Sequence, residues 1–221
     1  MTKKHILTFE TYDEWDVVPM EAIYTVHNLQ YGASLETLPS EAFEKVHAFA
    51  FRGHASLSAE IMDAFPNLGM VANYGVGFDT IDVAHATSKG IKVSNTPDVL
   101  TDDVADLAVG MIIAQSRGIV GASSWIKSGN WAERGAFGLQ RKVSGKRIGI
   151  VGLGRIGRAI AERMQPFGGP IHYFSRAEKE TPGWFHHADI VELAAEVDIL
   201  VVTVSGGPNT IGIVGTEALN A

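Results

Sequence analysis

Three glycines at positions 152, 154 and 157 form a G-x-G-x-x-G turn between an apolar segment and a helical one. Residues 147–151 have the pattern of a buried strand and residues 158–164 that of a helix. In such a turn the first glycine permits the bend, the second admits a pyrophosphate, and the third lets helix and strand pack closely. Phosphate oxygens then meet the N–H groups at the helix start. We predict a dinucleotide-binding turn, rather than a tight turn without ligand, at Gly152, Leu153, Gly154, Arg155, Ile156 and Gly157.

The end of the next predicted strand indicates which cofactor this turn binds. NAD sites usually have Asp or Glu about twenty residues after the motif, bound to the ribose 2′-hydroxyl. Here Ser175 and Arg176 stand at that place, and the nearest carboxylates, those of Glu178 and Glu180, come later. A charge-assisted contact from such residues to a 2′-phosphate is worth about 1.5–3 kcal/mol. We predict NADP(H) as the preferred cofactor and NAD(H) as the alternative. The alternative for Arg176 itself is a side chain that contacts only solvent and binds no cofactor.

Two loops in the first hundred residues have the composition of an anion site. Residues 73–79 follow a predicted strand, and Gly75 and Gly77 allow backbone N–H groups to turn inward, while Asp79 is a natural helix cap. Residues 52–54 follow another strand and bring a cation and a backbone N–H to the same sheet edge. A small carboxylate fits both loops; the alternative for the first is a capped turn without ligand. The histidine of the second loop is expected to be polar surface rather than a catalytic base.

Short apolar segments alternate with helical patterns along almost the whole chain. The predicted strands are residues 6–9, 47–51, 70–73, 91–94, 147–152, 170–174 and 198–204. Helices fit between them, for example at residues 58–64 and 81–89. This alternation predicts an α/β fold with parallel sheets covered by helices on both faces.

A turn at residues 95–98 marks a predicted domain boundary. A long helix follows, with Thr101 as its cap and two aspartates in its first turn, where the helix dipole favours negative charge. We expect this helix to cross between domains 1–98 and 99–221, and residues 129–146 to form a looser stretch. Helical spacing predicts one apolar face made of Val104, Leu107, Ala108, Met111 and Ile112.

Composition excludes several classes of protein. Lys and Arg total 18 against 25 Asp and Glu, and a formal charge of −7 disfavours binding to nucleic acid or anionic membrane. The chain has no cysteine for a disulfide, a thiolate metal site or a nucleophile, and no metal is expected. No apolar run approaches the roughly 18–20 residues of a membrane span, and no signal peptide is evident. We expect a cytoplasmic protein.

Together these segments resemble the D-isomer-specific 2-hydroxyacid dehydrogenase family. The matching stretches keep their order along the chain, at residues 73–82, 94–116, 145–176 and 198–215. The pair at 175 and 176 is similar to the glyoxylate, hydroxypyruvate and hydroxyphenylpyruvate reductase branch, which tends to use NADPH. The resemblance implies two doubly wound parallel-sheet domains, a flavodoxin-like substrate domain and a Rossmann NAD(P)-binding domain. It also implies a substrate cleft between them and a homodimer built on the cofactor domain.

The same resemblance implies where ligands lie. The substrate carboxylate is expected at Arg52, Gly53, Val76 and Gly77. The cofactor is expected along Thr101, Leu153, Gly154, Arg155, Ile156, Ser175, Arg176, Val204, Ser205 and Thr210.

The catalytic residues of the family have no counterpart in this sequence. Members use an Arg, a Glu and a His, in that order, beyond the strand that matches residues 198–204. The Arg polarises the substrate carbonyl, the His protonates its oxygen, and the Glu raises the pKa of that His. The sequence ends at Ala221, and His186 and His187 precede the strand, so neither can be carried over as the acid. We expect an N-terminal fragment with an incomplete Rossmann domain and no turnover of its own.

The absence of the strands that would follow in an intact Rossmann domain would also affect the apolar run at residues 199–202. Such runs usually lie in the middle of a parallel sheet. Without later strands beside it, this run becomes an exposed apolar edge, and we expect poor solubility.

The sequence therefore favours an oxidoreductase acting on CH–OH groups. The expected reaction is NADPH-dependent reduction of a small 2-oxo acid, of the glyoxylate, hydroxypyruvate or hydroxyphenylpyruvate type, to the D-2-hydroxy acid. One alternative is an NAD(H)-sensing binding protein similar to the family's corepressors, although nothing resembles a recruitment groove. Another is an NAD-dependent member similar to phosphoglycerate dehydrogenase, against which the missing carboxylate after the second strand counts.

Overall fold

The computed structural model describes residues 2–52 and 55–221. The chain divides into two compact units, residues 1–99 and 100–221. In both units strands and helices alternate and every strand pairing is parallel, so the predicted α/β class is confirmed.

The first unit is a five-stranded sheet in the order β2-β1-β3-β4-β5. Its strands are β1 (His5–Phe9), β2 (Thr25–Leu29), β3 (Val46–Phe51), β4 (Met70–Asn73) and β5 (Lys92–Ser94). The intervening helices are α1 (Glu14–Ile23), α2 (Ser40–Lys45), α3 (Ala59–Asp63) and α4 (Val83–Ser88), with a 3-10 turn at Leu35–Thr37. This strand order is that of flavodoxin, in which ligands bind at the carboxyl ends of β1 and β3, where the order reverses.

The second unit is a four-stranded sheet in the order β8-β7-β6-β9. Its strands are β6 (Ile148–Val151), β7 (Ile171–Phe174), β8 (Phe185–His187) and β9 (Ile199–Val202). Its helices are α5 (Thr101–Ser116), α6 (Ile119–Lys127), α7 (Asn130–Arg134), α8 (Arg155–Met164), α9 (Ile190–Ala195) and α10 (Thr216–Asn220), with a 3-10 turn at Gln165–Phe167. Strand β6, the first of this unit, lies inside the sheet. The next two strands are added on one side of it and β9 on the other side, which is the Rossmann order.

Each unit has its own apolar core. In the first, Leu7, Phe49 and Val71 from adjacent strands are fully buried. In the second, all four residues of β6 are buried, because helices cover both faces of the sheet. The site loops of each unit therefore follow strands that contribute side chains to these cores.

Two strands were not predicted. β2 has the sequence Thr-Val-His-Asn-Leu, in which polar residues interrupt the apolar pattern. β8 has only three residues, two of them histidine. Both are edge strands of their sheets, where burial on two faces is not required, so the apolar signal is weak.

Two predicted helix caps are wrong. Leu100 occupies the N-cap position of α5, and Thr101 is its first helical residue. The cap of α4 is Asp82, whose Oδ1 accepts a hydrogen bond from the His85 N–H at 2.9 Å, rather than Asp79. Helix α4 therefore begins three residues later than its predicted cap implied, and α5 begins one residue earlier.

The predicted apolar face of α5 is also only partly buried. Ala105 and Ile112 are buried, whereas Leu107 and Met111 are 64 % and 62 % exposed. The helix packs on α8 through small side chains, and ion pairs from Arg163 to Asp102 at 2.7 Å and to Asp106 at 2.6 Å flank this contact. The buried stripe is narrower than the apolar pattern because close helix packing uses alanines. Residues 129–146, expected to be loose, include the short helix α7.

Within the described part of the chain, no single helix is long and apolar enough to cross a membrane. Helices α5 and α6 pass that test of length and composition only when taken together, across a bend of 59°.

Candidate cofactor and substrate sites

The glycine turn after β6 is fixed by hydrogen bonds to both neighbouring strands. Gly152 has φ +100°, a conformation that favours glycine, and its N–H donates to Phe174 O at 2.9 Å. Its carbonyl accepts from the Thr203 hydroxyl at 2.8 Å, just beyond β9. Thr203 was not among the predicted site residues; a hydroxyl directly after an apolar strand is too common a feature to single it out.

The other two glycines differ in the space around them. A Cβ on Gly157 would lie 2.3 Å from the Gly152 carbonyl oxygen, so this glycine allows α8 to approach the strand. A Cβ on Gly154 would meet nothing within 4 Å. The space above Gly154 is therefore open, as it must be if a ligand approaches the backbone there.

Backbone donors surround this space. Among the described residues, the N–H groups of Leu153, Ile156 and Gly157 have no hydrogen-bond partner. Helix α8 begins at Arg155, so the positive end of its dipole also faces this turn. The open space and the unpartnered donors fit a pyrophosphate.

The next site residues lie after β7, at the neighbouring strand end. The Ser175 hydroxyl donates to Ala177 O at 2.6 Å, and the Ser175 carbonyl lies 3.2 Å from His186 Nε2. Arg176 is exposed and has no hydrogen bond or ion pair within the part of the chain that the structure describes. Its guanidinium is thus available to an anion.

The remaining cofactor residues of the second unit lie on the loop after β9 and at the start of α5. Val204 is half-buried and packs near Val151. The Thr210 hydroxyl donates to Ser205 O at 2.7 Å and to Gly207 O at 3.1 Å, which closes the loop on itself. Thr101 lies in the first turn of α5.

In the first unit, the loop after β4 turns its carbonyls inward. Asn73, buried at the strand end, donates through Nδ2 to Gly77 O at 2.7 Å and to Gly75 O at 3.3 Å. Asn95 Nδ2 donates to Val76 O at 2.9 Å. The N–H groups of Val76 and Gly77 have no partner among the described residues. The asparagine side chains hold the carbonyls of this loop, and its unpartnered N–H groups remain available to bind an anion.

Arg52 stands beside this loop, directly after β3, and lies between two aromatic rings. Its Cζ is 5.7 Å from the Tyr12 ring centroid and 5.5 Å from that of Tyr74. Its Nη1 donates to Thr11 O at 3.3 Å and lies 3.7 Å from an Asp13 carboxylate oxygen. Rings at these distances attract the cation through their quadrupoles and fix its position.

The two tyrosines were not predicted from the sequence, since they belong to no motif. Burial raises the pKa of Tyr12 to about 12, against the opposing effect of Arg52, so its phenol stays protonated at neutral pH. Gly53, expected at the substrate, and His54 lie outside the described residues.

His186 and His187 occupy β8, and both are used within the sheet. His187 Nε2 lies 2.9 Å from His172 Nδ1 on β7. Burial, and then the neighbouring His187, lower the pKa of His172, which favours the neutral form of His172. In the described residues no group of three or more His, Cys, Asp or Glu side chains is placed to hold a metal ion.

Comparison with known proteins agrees with this geometry. Residues 109–221 match the family model described as D-isomer specific 2-hydroxyacid dehydrogenase, NAD binding domain. The chain is 45 % identical over 178 residues to hydroxyphenylpyruvate reductase of Plectranthus scutellarioides, covering 80 % of this chain and 56 % of the relative. It is 42 % identical over 176 residues to glyoxylate/hydroxypyruvate reductase A of Arabidopsis thaliana, with the same coverage of 80 % and 56 %. The chain thus spans a little over half the length of these relatives.

Solved structures show the same relationship. A 2-hydroxyacid dehydrogenase from Ketogulonicigenium vulgare Y25 has 44 % identity and a TM-score of 0.84, over 93 % of this chain and 65 % of that one. The NADPH-dependent glyoxylate/hydroxypyruvate reductase of Sinorhizobium meliloti, solved with NADP and malonate, has 35 % identity and a TM-score of 0.90, over 99 % of this chain and 67 % of that one. The chain belongs to the D-isomer-specific 2-hydroxyacid dehydrogenase family, whose members are NAD(P)-dependent oxidoreductases.

Proposed function

We propose that this chain binds NADP(H) and a small 2-oxo acid for reduction of that acid to the D-2-hydroxy acid. The substrates that we propose are of the glyoxylate, hydroxypyruvate or hydroxyphenylpyruvate type, the classes named for the two curated relatives. The observation that carries the cofactor proposal is the unpaired, exposed Arg176 at the end of β7, with Ser175 beside it and no carboxylate in their place.

Each part of the dinucleotide has residues suited to it. The pyrophosphate would lie over Gly154 against the N–H groups at the start of α8. Ser175 and Arg176 would bind the ribose 2′-phosphate, Thr101, Arg155, Val204, Ser205 and Thr210 would line the rest of the cofactor, and Gly152 and Gly157 would shape the turn. When bound, the nicotinamide supplies or accepts the hydride.

The substrate carboxylate would bind at the carboxyl ends of the adjacent strands β3 and β4. Arg52 offers a planar guanidinium, which suits a carboxylate because it can donate two parallel hydrogen bonds. The N–H groups of Val76 and Gly77 supply further donors in the same unit, and we retain Gly53 as a fourth candidate.

The group that protonates the substrate oxygen is proposed to lie outside these 221 residues. Residues 205–221, which follow β9, contain no arginine and no histidine. The two histidines of β8 are already engaged within the sheet. The chain by itself would therefore bind its ligands without turning them over. We also propose the homodimer that the family resemblance implies.

The cofactor proposal predicts a defined loss on substitution of Arg176. Arg176→Ala should weaken NADPH binding by roughly 10- to 150-fold, the equivalent of about 1.5–3 kcal/mol for one charge-assisted hydrogen bond, and leave NADH binding unchanged. Fluorescence titration of the chain with each nucleotide measures both affinities.

The matched control is Arg134→Ala, which removes an exposed arginine of α7 in the same unit. It should change neither affinity. Equal losses for NADPH and NADH in Arg176→Ala would show that Arg176 does not bind a 2′-phosphate.

A further inference from the structure

The loop between β7 and β8, residues 175–184, is held by hydrogen bonds to a buried tyrosine of β7. The Tyr173 side chain is fully buried within β7. Its hydroxyl accepts a hydrogen bond from Lys179 N at 2.9 Å and donates one to Lys179 O at 3.1 Å. One phenol therefore satisfies both backbone groups of a residue in the middle of the loop.

A second fastening comes from α8, the helix that begins at the glycine turn. Arg158 Nη2 donates to Glu180 O at 2.7 Å. The same guanidinium lies over the ring of Trp184, 5.6 Å from its centroid, and Trp184 is itself buried. This cation–π contact and hydrogen bond join the loop to the helix whose N-terminus faces the pyrophosphate space.

Shorter contacts shape the loop itself. The Ser175 hydroxyl donates to Ala177 O, and Trp184 N donates to the Thr181 hydroxyl at 3.2 Å. Ser175 and Arg176 therefore lie on a segment that is held at both ends and in the middle before any ligand arrives. Since a loop ordered in advance does not lose conformational freedom on binding, such fastening strengthens affinity for the group that the loop contacts.

We propose that Tyr173 and Arg158 are positioning residues for cofactor discrimination, holding residues 175–184 so that Ser175 and Arg176 meet the 2′-phosphate. This inference rests on the proposed role of those two residues. Neither Tyr173 nor Arg158 needs to touch the cofactor for it to hold. Because only the 2′-phosphate distinguishes the two nucleotides at this loop, loosening the loop should impair NADP binding and spare NAD binding.

The test uses two small probes that lack the nicotinamide: adenosine 2′,5′-bisphosphate and 5′-AMP. Tyr173→Phe keeps the buried ring and removes both hydrogen bonds to Lys179. Its affinity for the bisphosphate should fall about tenfold, because the loop must then be ordered on binding, while its affinity for 5′-AMP changes less than about twofold. Isothermal titration calorimetry measures both constants.

Arg158 gives an independent series. Arg158→Leu removes the hydrogen bond to Glu180 O and the contact with Trp184, and it should selectively weaken bisphosphate binding. Arg158→Lys retains a donor and a cation, so it should restore part of that loss. As a second readout, trypsin should cleave at Lys179 faster in Tyr173→Phe than in the unmodified chain, because the loop is less ordered.

The outcomes separate this inference from the proposed function. If the unmodified chain binds both probes equally, the 2′-phosphate site itself is wrong. If it prefers the bisphosphate but Tyr173→Phe and Arg158→Leu leave that preference unchanged, or lower both affinities equally, the positioning role is overturned. Should Tyr173→Phe fail to fold, the Arg158 series decides.

Discussion

Gly154 and Gly157 show how two residues of one type serve different purposes in one turn. A methyl group at 157 would clash with the Gly152 carbonyl at 2.3 Å and the Thr203 hydroxyl at 2.9 Å. A methyl group at 154 would occupy open space, and φ there is −85°, which any residue adopts. Gly157 is needed for packing, whereas Gly154 leaves room for the ligand.

This difference predicts that substitution by alanine impairs stability at one position and ligand binding at the other. Gly157→Ala should lower the free energy of unfolding of the second unit by about 1–3 kcal/mol, the usual cost of overpacking. Gly154→Ala should leave stability unchanged and weaken NADPH binding by about tenfold or more, equivalent to at least 1.4 kcal/mol. Urea unfolding and NADPH titration of both variants check the two quantities.

Gly138→Ala is the matched control, because its Cβ also meets nothing within 4 Å and the residue lies outside the proposed site. It should change neither quantity. Full NADPH affinity in Gly154→Ala would contradict the placement of the pyrophosphate over this residue.

At this scale the sequence predicts residues that belong to motifs and misses those that support them. The glycines, Ser175 and Arg176 follow from spacing after a strand. Tyr12 and Thr203 act through contacts with Arg52 and Gly152, which lie 40 and 51 positions away in the chain, and Tyr173 acts through the backbone of Lys179 in the loop after β7. No local pattern encodes such contacts, because they depend on strand order and register.

Among the secondary-structure elements, β6 and β9 are joined just before their first residues by Asp198. Its Oδ2 accepts from Arg147 N at 2.9 Å and from Arg147 Nε at 3.3 Å, and its Oδ1 lies 3.4 Å from Lys146 Nζ. These contacts, the backbone hydrogen bond first, lower the pKa of Asp198 from 3.8 to about 2. The folded state therefore favours the ionised carboxylate.

Asp198→Asn should destabilise the second unit in a pH-dependent way. A depressed carboxyl pKa stabilises the fold above the unfolded value of 3.8, and this stabilisation is lost as the pH falls toward about 2. The variant should lose roughly 0.5–1 kcal/mol at pH 7, as for other exposed ion pairs, and the difference from the unmodified chain should shrink below about pH 4. Denaturant unfolding across this pH range measures it.

Glu162→Gln provides the comparison, since it neutralises an exposed carboxylate on α8 that has no ion pair within the described residues. Its effect should be small at every pH. A pH-independent loss in Asp198→Asn would mean that its charge does not join the two strands.

The elements that the sequence predicts best are those buried on both faces. The central strands β1, β3, β4, β6 and β7 are mostly apolar, and their predicted positions agree with the structure to within one or two residues. The edge strands β2 and β8 tolerate polar side chains and were missed. The start of α4 was displaced because both Asp79 and Asp82 could serve as its cap, whereas the N-cap position of α5 is occupied by Leu100, which has no capping side chain.

For the whole molecule, strand–helix alternation was enough to predict the α/β class, and the family resemblance to predict the flavodoxin-like and Rossmann folds, which the two strand orders confirm. Motif order was enough to predict the family, which the family model and the relatives confirm. Substrate identity does not follow from either, because the side chains beside Arg52, such as Tyr12 and Tyr74, belong to no motif.

The open edge of the second sheet has a consequence for the chain in solution. β9 pairs with β6 on one side only within the described residues, and Val202 is 50 % exposed. An apolar strand with one unpaired edge is a template for another strand. We therefore predict concentration-dependent self-association, which sedimentation velocity would detect and which Val202→Lys should reduce.

Ile211→Lys is the control, since Ile211 is 84 % exposed but lies outside the strands. It should leave association unchanged. An unmodified chain that stays monomeric over a wide concentration range would refute the prediction.

The turn after β6 and the residues after β7 are proposed to select NADP(H) together. The most direct test of this selection is the pair of dissociation constants of the unmodified chain for NADPH and NADH, measured by calorimetry in the same buffer. NADPH should bind more tightly than NADH, by roughly 10- to 150-fold. Equal affinities, or tighter binding of NADH, would contradict it.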